Sequence, residues 1–182
     1  MQALTTPGRM LLAGLKAEIE QSLPFASAEE EALLNLVRTT DRITRAMQRT
    51  IRPWGVTATQ YNVLRILRGA GPEGLTCSEI GARMLTADPD ITRLLRRLKA
   101  LRLIRQHRDR QDRRVVRTEI SEAGLRLLEE MDPVVKRSPQ ELLGHMSAQE
   151  IAALTGLLER ARERCTEPMD VPDEVERPAK KS

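Results

Sequence analysis

The chemistry in this chain of 182 residues is carried mainly by arginine. Between positions 88 and 117, eleven basic residues stand against the four acids Asp88, Asp90, Asp109 and Asp112, a net charge of +7 in thirty residues, while the rest of the chain carries −3. Guanidinium groups bind phosphates and guanine edges through forked donor pairs. A concentration this local is therefore the footprint of a nucleic-acid surface. Other reactive residue types are sparse. His107 and His145 are the only histidines, which excludes an HExxH zinc site, and no nucleophile, base and orienting group come together in a recognisable pattern. Cys77 and Cys165 lie far apart with no CxxC pair, so neither a zinc cluster nor a disulfide framework is expected. The sequence thus predicts no enzyme, no metal and no cofactor. Phe25, Trp54 and Tyr61 are the only aromatic residues, too few for the stacking platforms of single-strand readers, so the nucleic acid is expected to be a duplex.

The elements that position the arginines follow from periodicity and capping. On a helical wheel starting at Ile91, Leu94, Leu95, Leu98 and Leu101 fall on one side and predict a core-facing stripe. Thr92, Arg93, Arg96, Arg97 and Ala100 fall on the other. These arginines have no Glu four residues on, a poor arrangement for mere solubility. Asp88 followed by Pro89 predicts the N-cap and first position of this helix. Two shorter helices precede it, opening at the capping boxes Thr57-x-x-Gln60 and Thr76-x-x-Glu79. After it, Leu103 to His107 and Val115 to Ile120 read as a hairpin joined by the basic loop Arg108 to Arg114. Two helices packed before a basic hairpin form the pattern of a winged helix, whose second helix enters the major groove.

The flanks are helical. Leu33, Leu36, Thr40, Ile43, Met47 and Ile51 recur by threes and fours along residues 29–51, closed by Trp54 and Gly55. Ser121 caps a later helix bearing Leu125, Leu128 and Met131, bent or interrupted at Pro133 and Pro139. Ser147-x-x-Glu150 opens the last helix, with a seam of Ile151, Leu154, Leu158, Ala161 and Cys165. A short helix between Arg9 and Gln21 and a disordered tail complete the reading. The expected organisation is an N-terminal extension (1–27), an N-terminal helix (28–56), a winged helix-turn-helix core (57–120), C-terminal helices (121–165) and the tail (166–182). The apolar stretch from Met10 to Leu15 is too short to span a membrane, so a cytoplasmic location is expected.

Five segments in this order resemble the MarR family of bacterial winged-helix regulators: Val56-Thr57-Ala58-Thr59-Gln60-Tyr61, Leu75-Thr76-Cys77-Ser78-Glu79-Ile80, Asp88-Pro89-Asp90-Ile91-Thr92-Arg93-Leu94, Asp109-x-x-Asp112-Arg113-Arg114-Val115, and Ile120-Ser121-x-x-Gly124. The resemblance covers about residues 30 to 163. It implies a mainly α fold with a small β wing, a homodimer built by the N- and C-terminal helices, and a pseudo-palindromic double-stranded operator. It further implies a regulator, most often a repressor, released by a small-molecule effector or, alternatively, by cysteine oxidation.

Carried over by motif, Thr92, Arg93, Arg96 and Arg97 are the DNA-facing residues of the recognition helix, and Arg110, Asp112, Arg113 and Arg114 those of the wing. Arg114 enters the minor groove in this reading, with the Asp112 carboxylate holding its guanidinium extended. An effector pocket is implied by the resemblance alone; Trp54, Tyr61, Arg65 and His145 are its candidates because each joins an apolar body to a polar tip. Trp54 reads equally as an anchor between the first two helices. Cys77 is expected to fill core space, and Cys165 to sit in the last seam or form a disulfide between subunits. The chain departs from the family where many relatives carry acids at the positions of Arg96 and Lys99 and a glycine at that of Arg102.

Overall fold

The computed structural model describes residues 14–86 and 90–165. The chain divides into two compact units, with the boundary between Ser138 and Pro139. The first unit begins with a one-turn helix, α1 (Leu15–Glu18), and the long α2 (Ala28–Ile51), which ends in a 3-10 turn at Arg52–Trp54. It continues with α3 (Ala58–Ala70), α4 (Cys77–Arg83), α5 (Ile91–Ala100), the strands β1 (Ile104–Arg108) and β2 (Val116–Ile120), and α6 (Glu122–Val135). The helix α7 (Ser138–Leu143) starts at the boundary, and α8 (Ala148–Arg162) lies in the second unit. The architecture is mainly helical with a two-stranded antiparallel wing, as the residue pattern predicts.

Local capping sets most of the boundaries. The side chains of Thr57, Thr76 and Ser147 each accept a hydrogen bond from the backbone N–H three residues on, and Gln60, Glu79 and Glu150 reach back to complete the boxes. Ser121 Oγ accepts from Gly124 N–H at 3.1 Å. The start of α5 differs from expectation. Its N-cap is Asp90, whose Oδ1 accepts Arg93 N–H at 2.8 Å; Asp88 and Pro89, the expected start, lie outside the described residues. Either Asp satisfies the capping rule locally, and the bond to Arg93 N–H marks the one that is used. The residues of the expected first helix up to 13, and the tail from 166, also lie outside the description. Pro133 does not interrupt α6, which runs on to Val135. Its ring removes only the donor to the Glu129 carbonyl, and the ladder resumes beyond it with Lys136 N–H bonding Asp132 O at 2.9 Å.

The core gathers Ile51, Val63, Leu64, Leu67, Ile80, Leu98, Leu128 and Met131, all without exposed area. It therefore joins the end of α2 to α3, α4, α5 and α6. Leu94, Leu95 and Leu98 face it as predicted, but Leu101 does not: half of it is exposed. The helix stops at Ala100, and the chain reverses at Arg102, in the left-handed region at φ 60°. There Arg102 N–H bonds Lys99 O at 2.9 Å and Leu103 N–H bonds Leu98 O at 3.0 Å, the paired bonds of a Schellman ending. Leu103 inherits the buried position that the wheel assigned to Leu101.

Further back, α2 has a different fate. Met47 and Ile51 join the core, whereas Leu33, Leu36, Val37 and Ile43 are exposed. Glu18 of α1 pairs with Arg38 Nε at 2.6 Å and with Arg42 Nη2 at 2.5 Å, holding the short helix to the long one. In the second unit Ile151, Leu154 and Leu158 are half-buried along one row of α8, and Cys165 lies beyond the helix end, exposed, instead of continuing the seam. Among the described residues no helix is long and apolar enough to cross a membrane.

One glycine ties α6 to the wing. A Cβ at Gly124 would stand 2.3 Å from the Leu103 carbonyl oxygen and 2.8 Å from Ile120 Cγ1, so α6 can approach the hairpin only without a side chain there. Replacing a helical glycine by alanine ordinarily stabilises by roughly 0.5–1 kcal/mol. Gly69 of α3, with open space around its Cβ position, should follow that rule. Gly124→Ala should do the reverse and destabilise by about 1–3 kcal/mol through overpacking. Urea unfolding of the two variants checks the signs; equal stability of Gly124→Ala and the natural protein would contradict the close approach.

Candidate nucleic-acid interface

The side of α5 opposite the core carries Thr92, Arg93, Arg96, Arg97 and Lys99, all exposed. Its orientation is fixed by the three buried leucines on the other side, and its direction by the Asp90 cap. The Asp90 carboxylate does more than cap, because its Oδ2 also pairs with Arg93 Nε at 3.1 Å. Arg93 thus has an acidic partner three residues before it, which a search four residues ahead passes over. Farther along the helix, Lys99 Nζ donates to Gln106 Oε1 of β1 at 3.3 Å.

The wing pairs β1 with β2 in a register that sets Ile104 opposite Ile120 and Arg108 opposite Val116. A third chain segment joins it. Leu75 N–H donates to Thr118 O at 2.9 Å and Thr118 N–H to Leu75 O at 2.7 Å, so the segment entering α4 extends the small sheet by one bridge. Gly74, at φ 67°, must be a glycine for this approach, since a Cβ would lie 2.7 Å from Thr118 O.

The tip is organised by Asp109. Its Oδ1 accepts the backbone N–H of Gln111 at 2.8 Å and of Asp112 at 3.2 Å, closing the turn, and its Oδ2 takes Arg117 Nε. Arg117 also donates to Gly74 O at 3.4 Å and stands 4.0 Å from Glu79 Oε2, linking the wing base to α4. The Arg117 hydrogen bond, followed by the two backbone donors, holds the Asp109 carboxyl down at about 2 from an ordinary 3.8. This is the residue that sequence reasoning missed. Finding it takes the hairpin register: His107 stands opposite Arg117, and Asp109, two residues on along the same face, lies on the diagonal to it.

Asp112 behaves otherwise than expected. Its Oδ1 accepts the backbone N–H of Arg114 at 2.9 Å, so the carboxylate shapes the tip and does not hold the Arg114 guanidinium. Two residues on an extended loop bring the backbone amide closer than the far end of a long side chain. Arg110, Arg113 and Arg114 all project from the tip, exposed. The structure therefore gathers the predicted DNA-facing residues on two neighbouring features, the outer side of α5 and the wing tip.

The other candidates are scattered. Tyr61 is buried in the core, and the Arg65 guanidinium lies 5.9 Å over its ring. Burial raises the Tyr61 hydroxyl pKa above its usual value. Trp54 is half-buried against the core, in the turn that ends α2, the position of an anchor. His145 belongs to the second unit and is exposed. None of the four lines the open pocket of ≈ 420 Å³ bounded by Lys16, Phe25, Ser27 and Glu31. Cys77 is exposed instead of filling the core, with Sγ 4.0 Å from Thr92 Oγ1. It is the first residue of α4, ahead of the turn that carries the buried Ile80, and its thiol reaches towards α5. Among the described residues, no group of three or more His, Cys, Asp or Glu is placed to hold a metal ion.

Comparison with known proteins gives this geometry its family. The model of the MarR family matches residues 54–115, from the 3-10 turn after α2 to the wing tip. A MarR transcription factor from Planctomyces limnophilus is 38% identical, with 75% of this chain and 99% of that one covered and a TM-score of 0.58. The chain belongs to the MarR family. Two further relatives agree. The HTH-type transcriptional regulator MhqR of Bacillus subtilis (strain 168) is 29% identical over 114 residues, 63% of this chain and 77% of MhqR. BpsR of Bordetella bronchiseptica, whose DNA binding is regulated by 6-hydroxynicotinic acid, is 28% identical with a TM-score of 0.65, covering 74% of this chain and all of the BpsR chain. Such proteins regulate transcription and are not enzymes. In this MarR protein the matched segment contains α3 to α5 and the first wing strand, where the positive charge is concentrated.

The depressed Asp109 carboxyl fixes how the wing responds to acid. A group whose folded pKa lies below its unfolded value contributes above the unfolded value and loses that contribution as pH falls through the folded one. The wing turn should therefore be unchanged from neutral pH down to about 4 and open only as the pH approaches about 2. NMR titration of the Gln111 and Asp112 amides reads this directly; a midpoint at the ordinary carboxylate value would show that the Arg117 pair does not form in solution.

Proposed function

We propose that this MarR-family regulator is a cytoplasmic homodimeric repressor that binds a pseudo-palindromic operator in double-stranded DNA, with α5 in the major groove and the wing tip at the minor groove. One observation carries the reading. Among the described residues, Arg96, Arg97, Arg110, Arg113 and Arg114 are exposed with no carboxylate at ion-pair distance, and they cluster on the outer side of α5 and the wing tip, inside the segment of net charge +7. Unpaired guanidinium groups on adjoining features bind phosphates by releasing counterions. In this assignment Thr92, Arg93, Arg96 and Arg97 meet base edges and nearby phosphates, Arg110 and Arg113 meet phosphates, Arg114 enters the minor groove, and Asp112 sets the backbone of the tip.

The second copy is supported by the apolar side of α2 left exposed at Leu33, Leu36, Val37 and Ile43, and by the half-buried row on α8. Apolar surface of this kind is ordinarily covered by a partner. Release by a small-molecule effector is carried over from BpsR, and the stacked Tyr61 and Arg65 are its candidate contacts. A redox reading has its own support in the exposure of Cys77 beside Thr92, since an oxidised sulfur there would crowd the groove-facing side of α5. It predicts that peroxide weakens DNA binding reversibly and that Cys77→Ser abolishes the effect.

A dimer in sedimentation at micromolar concentration and a shifted duplex at low salt are expected, with recognition helices roughly 34 Å apart. A monomer that retards no duplex would end this reading. Replacing Arg110 or Arg113 by Ala should weaken binding to all sequences alike and lower the salt slope by about one unit each. Arg93→Ala should instead change the ranking of operator variants, at about 1–3 kcal/mol for the base pair concerned.

A further inference from the structure

The helix cap and the ion pair made by Asp90 point to a role in sequence discrimination. The two carboxylate oxygens have separate duties: Oδ1 accepts Arg93 N–H at 2.8 Å, and Oδ2 holds Arg93 Nε at 3.1 Å. A guanidinium gripped through Nε keeps its terminal Nη pair free, the edge that meets O6 and N7 of guanine. Its long side chain is also restricted before binding, which lowers the ordering cost on docking. The helix itself does not require this carboxylate. Asn and Ser cap about as well as Asp, without a negative charge on a surface that must approach phosphates. As an exposed ion pair, the contact adds little to stability.

We infer that Asp90 is a positioning residue for base recognition, pre-orienting the Arg93 guanidinium for a guanine in the major groove. Asp90 itself touches no base. The inference rests on the duplex-binding reading above and adds to it the base class that Arg93 selects and the group that makes Arg93 selective.

The experiment uses the full-length protein and a random duplex library. Sequences selected by the natural protein are re-ranked with Asp90→Asn, Arg93→Ala and the double variant, each at two salt concentrations, with helix content followed by circular dichroism. Asp90→Asn retains a capping oxygen but replaces the other by an amide that cannot pair with a cation; Asp90→Ser, which retains only a capping hydroxyl, serves if the first variant folds poorly. The expected result is a guanine preference at one position of each half-site, reduced by about tenfold in Asp90→Asn. Affinity for unselected duplexes should stay level or rise, because a repulsion with phosphate is removed. Adding Asp90→Asn to Arg93→Ala should cost nothing more. A ranking unchanged in Asp90→Asn but flattened in Arg93→Ala would overturn the positioning role. A further loss in the double variant would assign Asp90 to the helix alone. Failure of the natural protein to retain any duplex would instead remove the DNA-binding reading and this inference with it.

Discussion

Within two residues, Arg102 and Leu103, the chain leaves α5 and enters the wing, and the two basic features are joined there. Arg102 takes a left-handed conformation that costs a non-glycine residue roughly 1 kcal/mol. Several bonds offset it: Arg102 N–H to Lys99 O, Leu103 N–H to Leu98 O, and Ser121 Oγ to Arg102 O at 2.7 Å. Ser121 N–H bonds Leu103 O at 3.0 Å, and Gly124 brings α6 against that same carbonyl. Four elements, α5, β1, β2 and α6, therefore converge on one reversal. Leu98 and Leu103, buried on either side of it, exclude water from those bonds.

Around that junction the same device recurs with aspartate. Asp90 and Asp109 each satisfy a backbone turn with one oxygen and grip a guanidinium with the other. The side chain is short enough to reach its own backbone two or three residues on, and ionised enough to hold a cation. One residue thus couples local backbone geometry to the placement of a long side chain. Asp112 performs only the first duty, and the Arg114 guanidinium has no carboxylate partner among the described residues.

How much of this was legible follows from how far each rule reaches. The caps at Thr57, Thr76, Ser121 and Ser147 could be read because donor and acceptor lie within three residues, and burial of Leu94, Leu95 and Leu98 because a helix repeats within four. Leu101 is misplaced when that period is carried one residue past the helix end at Ala100. The Asp109 pair with Arg117 requires the hairpin register, which no local pattern gives. Cys77 shows a related limit: as the first residue of α4 it precedes the full turn that would set a side, and its exposure depends on where α5 packs.

Pairing removes part of the arginine charge outside the basic segment and sharpens a contrast that composition already sets. On α2, Glu18 holds Arg38 and Arg42, and Asp41 holds Arg45 at 2.9 Å. Arg68 of α3 meets Asp132 of α6 at 3.2 Å, with Lys136 on the same carboxylate. An exposed pair of this kind adds little stability, yet it cancels a charge that would otherwise attract phosphates. The acids of the basic segment act differently. Asp109 and Asp112 spend oxygens on backbone N–H groups, and Asp109 cancels only Arg117 at the wing base. The guanidinium groups of the tip are left without carboxylate partners among the described residues. The positive field is therefore selected twice, first by how many arginines the segment holds and then by which of them its acids neutralise.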